Sequence, residues 1–356
     1  MIINRYILIH IHKGSLLTLL VLVSLATFFL FIGELEDLGR GRYDLLAIFK
    51  YIGLRLPAKL VEFMPLAALL GTILSMGVLA SNSEIIALQA SGYSVINLIV
   101  AVMQAAIVLA LLSYLIADFV VPYSETNARQ FRSLAIDNNT SVVSKKGIWI
   151  KDQSQILHID ELLPDGMARR IEIYEIGGNN QIKSILLADW AVAIDQQWIL
   201  RDVQQTVFGK DNQSVFQFDR LPYNGNISNQ LLAALIIKPR QMSTFDLFDY
   251  VNFLGGNQLD HSVESLTLWQ KVLSPLSIII MCLLAVPFVL GSQRQSNSGQ
   301  RLMFGIVIGL LFVVGSRLST QLGIQIGLVP FVNAIIPILI FLLLAIYLIH
   351  RKIQTR

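Results

Sequence analysis

The chain has 356 residues, of which 54% are apolar and only 14% are charged, and its formal net charge is +3. A soluble protein of this length carries about a quarter charged residues, so a large part of this chain is not built for water. The small net charge argues against a nucleic-acid-binding protein. The single cysteine, Cys282, excludes an internal disulfide and a cysteine-built zinc site.

Six apolar segments are long enough to cross a bilayer, which takes about 20 mainly apolar residues. They cover roughly 16–32, 56–80, 95–121, 272–290, 302–322 and 329–349. The first is longer than the apolar core of a signal peptide and lacks a small-residue cleavage site, so we expect it to be retained. The predicted fold class is an α-helical membrane protein with transmembrane helices one to three in residues 1–121 and four to six in residues 269–356.

The positive-inside rule orients these spans, because Lys and Arg accumulate at cytoplasmic ends. In a six-span chain, the basic residues before span one, between spans four and five, and after span six all fall on one side, which predicts cytoplasmic termini. They are Arg5, Lys13, Arg294, Arg301, Arg351, Lys352 and Arg356. The connection between spans one and two is an exception, since it also carries several Lys and Arg residues among acidic ones.

A polar region between spans three and four is too long for a loop and must fold by itself. Apolar and polar residues alternate with period two at 147–151, 170–176 and 214–218, with turn sequences at Asp165-Gly166 and at 177–180. We therefore predict an all-β domain over 122–242, a sandwich or jelly roll of six to eight strands on the non-cytoplasmic side. A helical connector follows over 243–268, with Ser243 or Thr244 as N-cap.

Sequence signatures of catalysis are missing. The chain has no G-x-x-x-x-G-K-[ST] phosphate loop, no H-E-x-x-H pair and no G-x-S-x-G elbow. His158 and His261 lack an evident carboxylate or cysteine partner and are interpreted as surface or packing histidines. We expect no catalytic residue, no metal site and no cofactor in this chain, and hence not an enzyme.

The short segment 81–92, between spans two and three, carries the most information. Ser81 or Ser83 can cap a helix whose first turn holds Glu84, and Gly92 is suited to end it. One face combines Ile85, Leu88 and Gln89. Such a helix either docks into a groove on a soluble partner or lies on the lipid surface. The absence of Lys and Arg favours a protein partner.

This segment, Ser83-Glu84-Ile85-Ile86-Ala87-Leu88-Gln89-Ala90-Ser91-Gly92, closely resembles the coupling segment of the LptF/LptG family of lipopolysaccharide permeases. The resemblance extends over nearly the whole chain, through Arg5-Tyr6, 65–71, 149–152, 269–271 and 275–277.

The resemblance implies a permease subunit of an ABC-type exporter that extracts lipopolysaccharide from the inner membrane. Its implied partners are a second, LptF-like permease, a cytosolic LptB-like ATPase dimer that holds ATP and Mg, a single-span LptC-like subunit and a periplasmic LptA-like bridge. It also implies a periplasmic jelly roll, and it assigns ATPase coupling to Glu84 in the helix that carries Ile85, Leu88 and Gln89.

Lipopolysaccharide has an anionic, phosphorylated head group, which cations at the outer membrane surface would bind. Arg129 and Arg132 follow span three at i, i+3 spacing and match basic family positions, although they could equally be snorkelling anchors of the span. Arg317 is an intramembrane charge whose partner is either Asp118 or a lipid phosphate. Arg40 and Arg42 are weaker candidates.

One departure from the family is evident, because Leu30, Glu36 and Asp37 stand where members often have lysines. Arg40 and Arg42, the second permease, or a less phosphorylated lipid could compensate for the missing charge.

Two alternatives come from other functional classes. An ion-coupled secondary transporter would need ionisable residues near the membrane midplane. A membrane scaffold would need only a protein-binding soluble domain.

Overall fold

The computed structural model describes residues 2–136, 148–152, 155–162, 167–177, 181–194, 197–209, 212–223, 239–256, 259–289 and 298–354. These form two compact units. The helical unit comprises Met1–Leu35, Ile52–Glu125 and Ser262–Arg356, and the β unit comprises Glu36–Tyr51 and Thr126–His261.

The helices, in chain order, are α1 (Ile2–Glu34), α2 (Leu45–Ser81), α3 (Glu84–Ala90), α4 (Val95–Leu115), α5 (Val121–Ile136), α6 (Thr244–Gly256), α7 (Ser262–Val289), α8 (Ser298–Ile326) and α9 (Pro330–Gln354). A π-helical segment, Ile116–Val120, joins α4 to α5 without a break. Short 3-10 turns lie at Leu35–Asp37 and Pro239–Gln241.

Six spans within the described residues are long and apolar enough to cross a membrane, which confirms the predicted number. Three precede the β-strands and three follow them. Helices satisfy every backbone hydrogen bond internally, which is why apolar segments of this length adopt them in lipid.

The first two spans cross in direct backbone contact. A Cβ atom on Gly14 of α1 would lie 2.6 Å from the carbonyl oxygen of Gly71 in α2, and one on Gly71 would lie 2.3 Å from the Cα of Ser15. No side chain separates the two helices here, because glycine lets backbones approach closely.

Small residues also bring α8 against α2. A Cβ on Gly305 would meet the side chains of Ile73 and Leu70, and one on Gly309 would meet Leu66. The small residues of spans two and five therefore serve packing within the chain.

The β unit contains a six-stranded antiparallel sheet whose strands are neighbours in sequence order. The strands are β1 (Ile148–Asp152), β2 (Gln155–Leu162), β3 (Ala168–Ile176), β4 (Ile182–Ile194), β5 (Gln197–Phe208) and β6 (Gln213–Tyr223). Residues 148–151, 170–176 and 214–218 lie in strands, which confirms an inserted β domain, but residues 122–136, which the prediction placed in that domain, are helical. In the described residues the sheet is a meander, and the two packed sheets of a jelly roll are not seen.

One face of this sheet forms the core of the β unit. It buries alternate apolar residues of neighbouring strands, such as Ile159, Ile171 and Leu200, against which Tyr250 and Phe253 of α6 pack. Helix α6 begins with Ser243 as N-cap, whose Oγ accepts a hydrogen bond from the Asp246 backbone N–H.

Some predictions fall on residues outside the described part of the chain. The turns at Asp165-Gly166 and 178–180, and the basic residues Arg294 and Arg356, belong to this group.

Candidate functional site

Helix α3 is bounded by two tight turns. Gly92 has φ +90°, its N–H donates to the Gln89 carbonyl, and the Tyr93 N–H donates to the Leu88 carbonyl. This is the Schellman arrangement, in which a left-handed glycine ends a helix. At the other end Ser83 has φ +58° and its side chain forms no cap, so the predicted serine cap is wrong.

The apolar face of α3 packs on its own chain. Ile85 is 4% exposed, and Leu88 packs against the same core, which includes Ile7 and Ile11 of α1. Burial within the helical unit therefore leaves Ile85 little surface for a partner, whereas Leu88 is only half-buried, and the role of this face in ATPase coupling stays a prediction. The exposed side of α3 is formed instead by Ile86, Ala87 and Ala90.

Glu84 is held at the start of α3 by side chains on both of its oxygens. The Tyr6 hydroxyl donates to Oε2 at 2.8 Å, and the Asn82 amide donates to Oε1 at 3.4 Å. A second link follows α3, where the Tyr93 hydroxyl donates to Asn4 Oδ1 at 2.8 Å. Burial raises the pKa of Tyr93 above its ordinary value. The start of α1 and the whole of α3 therefore lie together at one end of the helical unit.

An arginine–carboxylate cluster occupies the β unit next to the loop between the first two spans. Asp37 accepts from Arg40 Nη1 through Oδ1 at 2.5 Å and from Arg132 of α5 through Oδ2. Both carboxylate oxygens are engaged, and Asp37 is the more buried partner, with 17% of its side chain exposed.

Two tyrosines hold the Arg132 guanidinium from other sides. Its Cζ lies 5.9 Å from the ring centroid of Tyr43 and 5.7 Å from that of Tyr51, within the range of cation–π attraction. The loop itself is fastened to α5, because the Arg42 N–H donates to the Ala135 carbonyl at 2.7 Å. The side chain of Arg42 is exposed.

The remaining arginine candidates are placed differently. Arg129 lies on α5, half-buried and one turn before Arg132. Arg317, which is 78% exposed, belongs to the helical unit and has the Glu62 carboxylate 3.9 Å away. Asp118, offered as a partner of Arg317, pairs instead with Lys271, whose Nζ is 3.3 Å from Asp118 Oδ1.

Sequence reasoning missed three groups of residues. Asp37 was noted only as a departure from the family, and nothing in the local pattern connects it to an arginine 95 positions away. Tyr6 and Asn4 gave no signal apart from Tyr6 being one of the family-like residues. Lys271 also lay in a family-like segment, but its carboxylate partner could not be chosen from sequence.

Comparison with known proteins identifies relatives of this chain. Residues 5–351 match the family described as lipopolysaccharide export system permease LptF/LptG. The chain is 30% identical to the lipopolysaccharide export system permease protein LptG of Haemophilus influenzae, over 98% of both chains. It is also 30% identical to LptG of Escherichia coli strain K12, over 99% of this chain and 98% of the relative. The sequences at 89–92 and 149–152 resemble LptG more than LptF, in agreement with these names.

Proposed function

The chain belongs to the LptF/LptG family of lipopolysaccharide export system permeases, and from this membership we propose how its parts divide the work of export. It is a multi-pass inner-membrane transport subunit. In the proposal, a separate cytosolic ATPase dimer supplies ATP and Mg, a second LptF-like permease completes the lipid cavity, and an LptC-like single-span subunit accompanies the pair.

The observation that supports this division of roles is that α3 is packed on the helical unit along one face and exposed along another. One face of the helix is anchored through Ile85 in the helical unit, while Glu84, Ile86 and Ala87 face outward to different degrees. A coupling helix must be attached to the transmembrane helices that it moves, and it must be accessible to the ATPase. Helix α3 has both a buried face and an exposed face, as this role requires. Glu84 then contacts the ATPase, Ile85 and Leu88 transmit the force, and Gln89 follows on the same face.

The β unit, inserted after the third span, is proposed to lie in the periplasm and to pass lipopolysaccharide to an LptA-like bridge. This placement is supported by topology, since three spans separate it from the N-terminal end of α1. The arginines of the β unit, Arg132, Arg129, Arg40 and Arg42, are proposed to contact the phosphorylated head group, and Arg317 of span five is a separate candidate for phosphate binding. Guanidinium groups suit phosphate because they donate paired hydrogen bonds.

The test of the coupling role is a charge reversal, Glu84→Arg. Because Glu84 is only half-buried and hydrogen-bonds to the exposed side chains of Tyr6 and Asn82, we expect the variant to insert normally but to lose at least tenfold of lipopolysaccharide delivery and of co-purified ATPase. Glu264→Arg is the matched control, since Glu264 is likewise a carboxylate in the first turn of a helix. Normal export by Glu84→Arg, with the ATPase still bound, would contradict the proposal.

The ion-coupled alternative has one feature in its favour, the buried Lys271–Asp118 pair between span three and span four. Each charge neutralises the other, however, and a titrating relay needs an ionisable group that changes state. Lipid transport by the purified permeases without the ATPase would favour this alternative.

A further inference from the structure

The cluster around Asp37 contains an internal anion, paired with the guanidinium that the proposed function assigns to the head-group phosphate. Resting on the proposed function of Arg132, we propose that the Asp37 carboxylate is a built-in competitor of the lipid phosphate, which occupies the Arg132 guanidinium until a sufficiently charged head group displaces it.

The first step of the argument is that the pairing is built by the backbone. The Arg42 N–H to Ala135 carbonyl bond ties the loop to the last turn of α5. A Cβ on Gly41, whose φ is +58°, would come within 2.4 Å of the Ile136 carbonyl oxygen, so the loop and the helix are in close contact. The backbone contacts between the loop and α5 therefore hold Asp37 close to Arg132. Their pairing does not depend on two freely moving side chains.

The second step concerns the geometry of the arginine. Tyr43, which is 1% exposed, and Tyr51, which is 7% exposed, lie around the Arg132 guanidinium and limit where it can turn. Its side chain nevertheless remains 33% exposed, so a ligand can reach it. A guanidinium that is fixed but accessible is a suitable receptor for an oxyanion.

The third step is the chemistry of the two anions. A carboxylate and a phosphate monoester both accept paired hydrogen bonds from a guanidinium, but the phosphate carries up to two negative charges and three strong acceptor oxygens. Phosphate can thus displace the carboxylate, whereas a neutral or zwitterionic head group has less to offer. Asp37 would thus raise the intrinsic affinity that a head group needs in order to bind here.

The fourth step is the fate of the displaced carboxylate. Oδ1 of Asp37 already accepts from Arg40, whose side chain is 66% exposed and free to follow it. Asp37 can therefore leave Arg132 without becoming an unpaired charge. The same exchange in reverse would help to release the lipid once it has moved on.

The experiment measures the Kd of the purified permease–ATPase complex in nanodiscs for bisphosphorylated lipid A and for monophosphoryl lipid A. Asp37→Asn removes the competing charge, and we expect it to lower the Kd for both lipids by about three- to tenfold. Because an internal competitor raises the apparent Kd of every lipid by the same factor, the gain should be similar for the two lipids. Asp37→Ala serves if the asparagine variant is not recovered as a folded complex.

Glu36→Gln is the matched control, because it removes one negative charge from the neighbouring exposed residue. We expect it to change the Kd by less than about twofold. An equal gain from Glu36→Gln and Asp37→Asn would reduce the effect to general electrostatics and would overturn the inference.

Arg132→Gln separates this inference from the proposed function. If Arg132→Gln leaves the Kd unchanged, the head-group role of Arg132 is wrong. If it weakens binding while the Asp37 variants bind no more tightly than the wild type, only the competitor role is wrong. Titration with inorganic phosphate alone completes the test, since equally tight binding with the same dependence on Asp37 would make this a free-phosphate site and overturn the lipid assignment.

Discussion

The buried ion pair between span three and span four offers a sharp test of the described packing. Lys271 and Asp118 approach to 3.3 Å with side chains only 10% and 6% exposed. Removing one partner leaves a charge buried without compensation, which typically costs about 3–5 kcal/mol. We therefore expect Lys271→Met or Asp118→Asn alone to lower the free energy of unfolding by about 3 kcal/mol or more, a change of roughly a hundredfold in the equilibrium constant.

The double variant Lys271→Met with Asp118→Leu should behave differently. Replacing both members of a buried pair by apolar side chains of similar size is often neutral, so we expect most of the loss to be recovered. The assay is equilibrium unfolding of the purified chain in mixed micelles with increasing SDS, followed by circular dichroism.

The control is the Lys59–Glu62 pair, whose side chains are 25% and 47% exposed. Lys59→Met should cost no more than about 0.5 kcal/mol, as expected for an exposed i, i+3 pair. Losses below 1 kcal/mol for both single variants at the buried pair, or a double variant whose loss is their sum, would refute the reasoning, because either result means that the two charges are not coupled.

Three further predictions concern packing and pH. Gly71→Ala forces α1 away from α2 and should lower the free energy of unfolding by about 1–3 kcal/mol in the same assay. Gly77→Ala, where a Cβ meets nothing within 4 Å, should instead stabilise the chain by up to about 1 kcal/mol. Equal effects of the two substitutions would contradict the described crossing. Asn333 is 2% exposed and hydrogen-bonds to α8. Asn333→Leu should lower the free energy of unfolding by about 1–3 kcal/mol, because it leaves buried polar groups unpaired. An unchanged unfolding midpoint would contradict this prediction. Hydrogen bonds from Ser184 and Lys183 lower the pKa of Glu175. The free energy of unfolding of the wild type should therefore exceed that of Glu175→Gln by at most about 1 kcal/mol at neutral pH, and this difference should disappear as the pH falls below about 4.5. A difference that grows on acidification would contradict the prediction.

The spans and strands were predictable because each follows from a local rule. A bilayer-crossing helix needs a long apolar run, and a half-buried strand needs alternation, so both can be recognised within ten to twenty residues. Gly92 was equally local, since a left-handed helix end favours glycine.

What could not be predicted depends on contacts between distant residues. The periodicity of α3 identified its apolar face correctly, but it could not tell whether Ile85 would be covered by a partner or by the chain itself. The pairing of Arg132 with Asp37, across 95 positions, has no local signature at all. The strand pattern likewise predicts a half-buried sheet without fixing whether its strands follow a meander or a jelly-roll order.

The backbone crossing of Gly14 and Gly71 has a mechanical consequence. Because the two backbones touch there, the crossing is the point about which any tilt of α1 relative to α2 would turn. At about 1.5 Å per residue, Tyr6 lies roughly 12 Å on one side of the crossing and Glu34 roughly 30 Å on the other. A displacement of about 2 Å at Tyr6, transmitted by its hydrogen bond to Glu84, would swing the far end of α1 by about 5 Å in the opposite direction. The displacement at the far end of the first span would thus be about two and a half times the displacement at Tyr6.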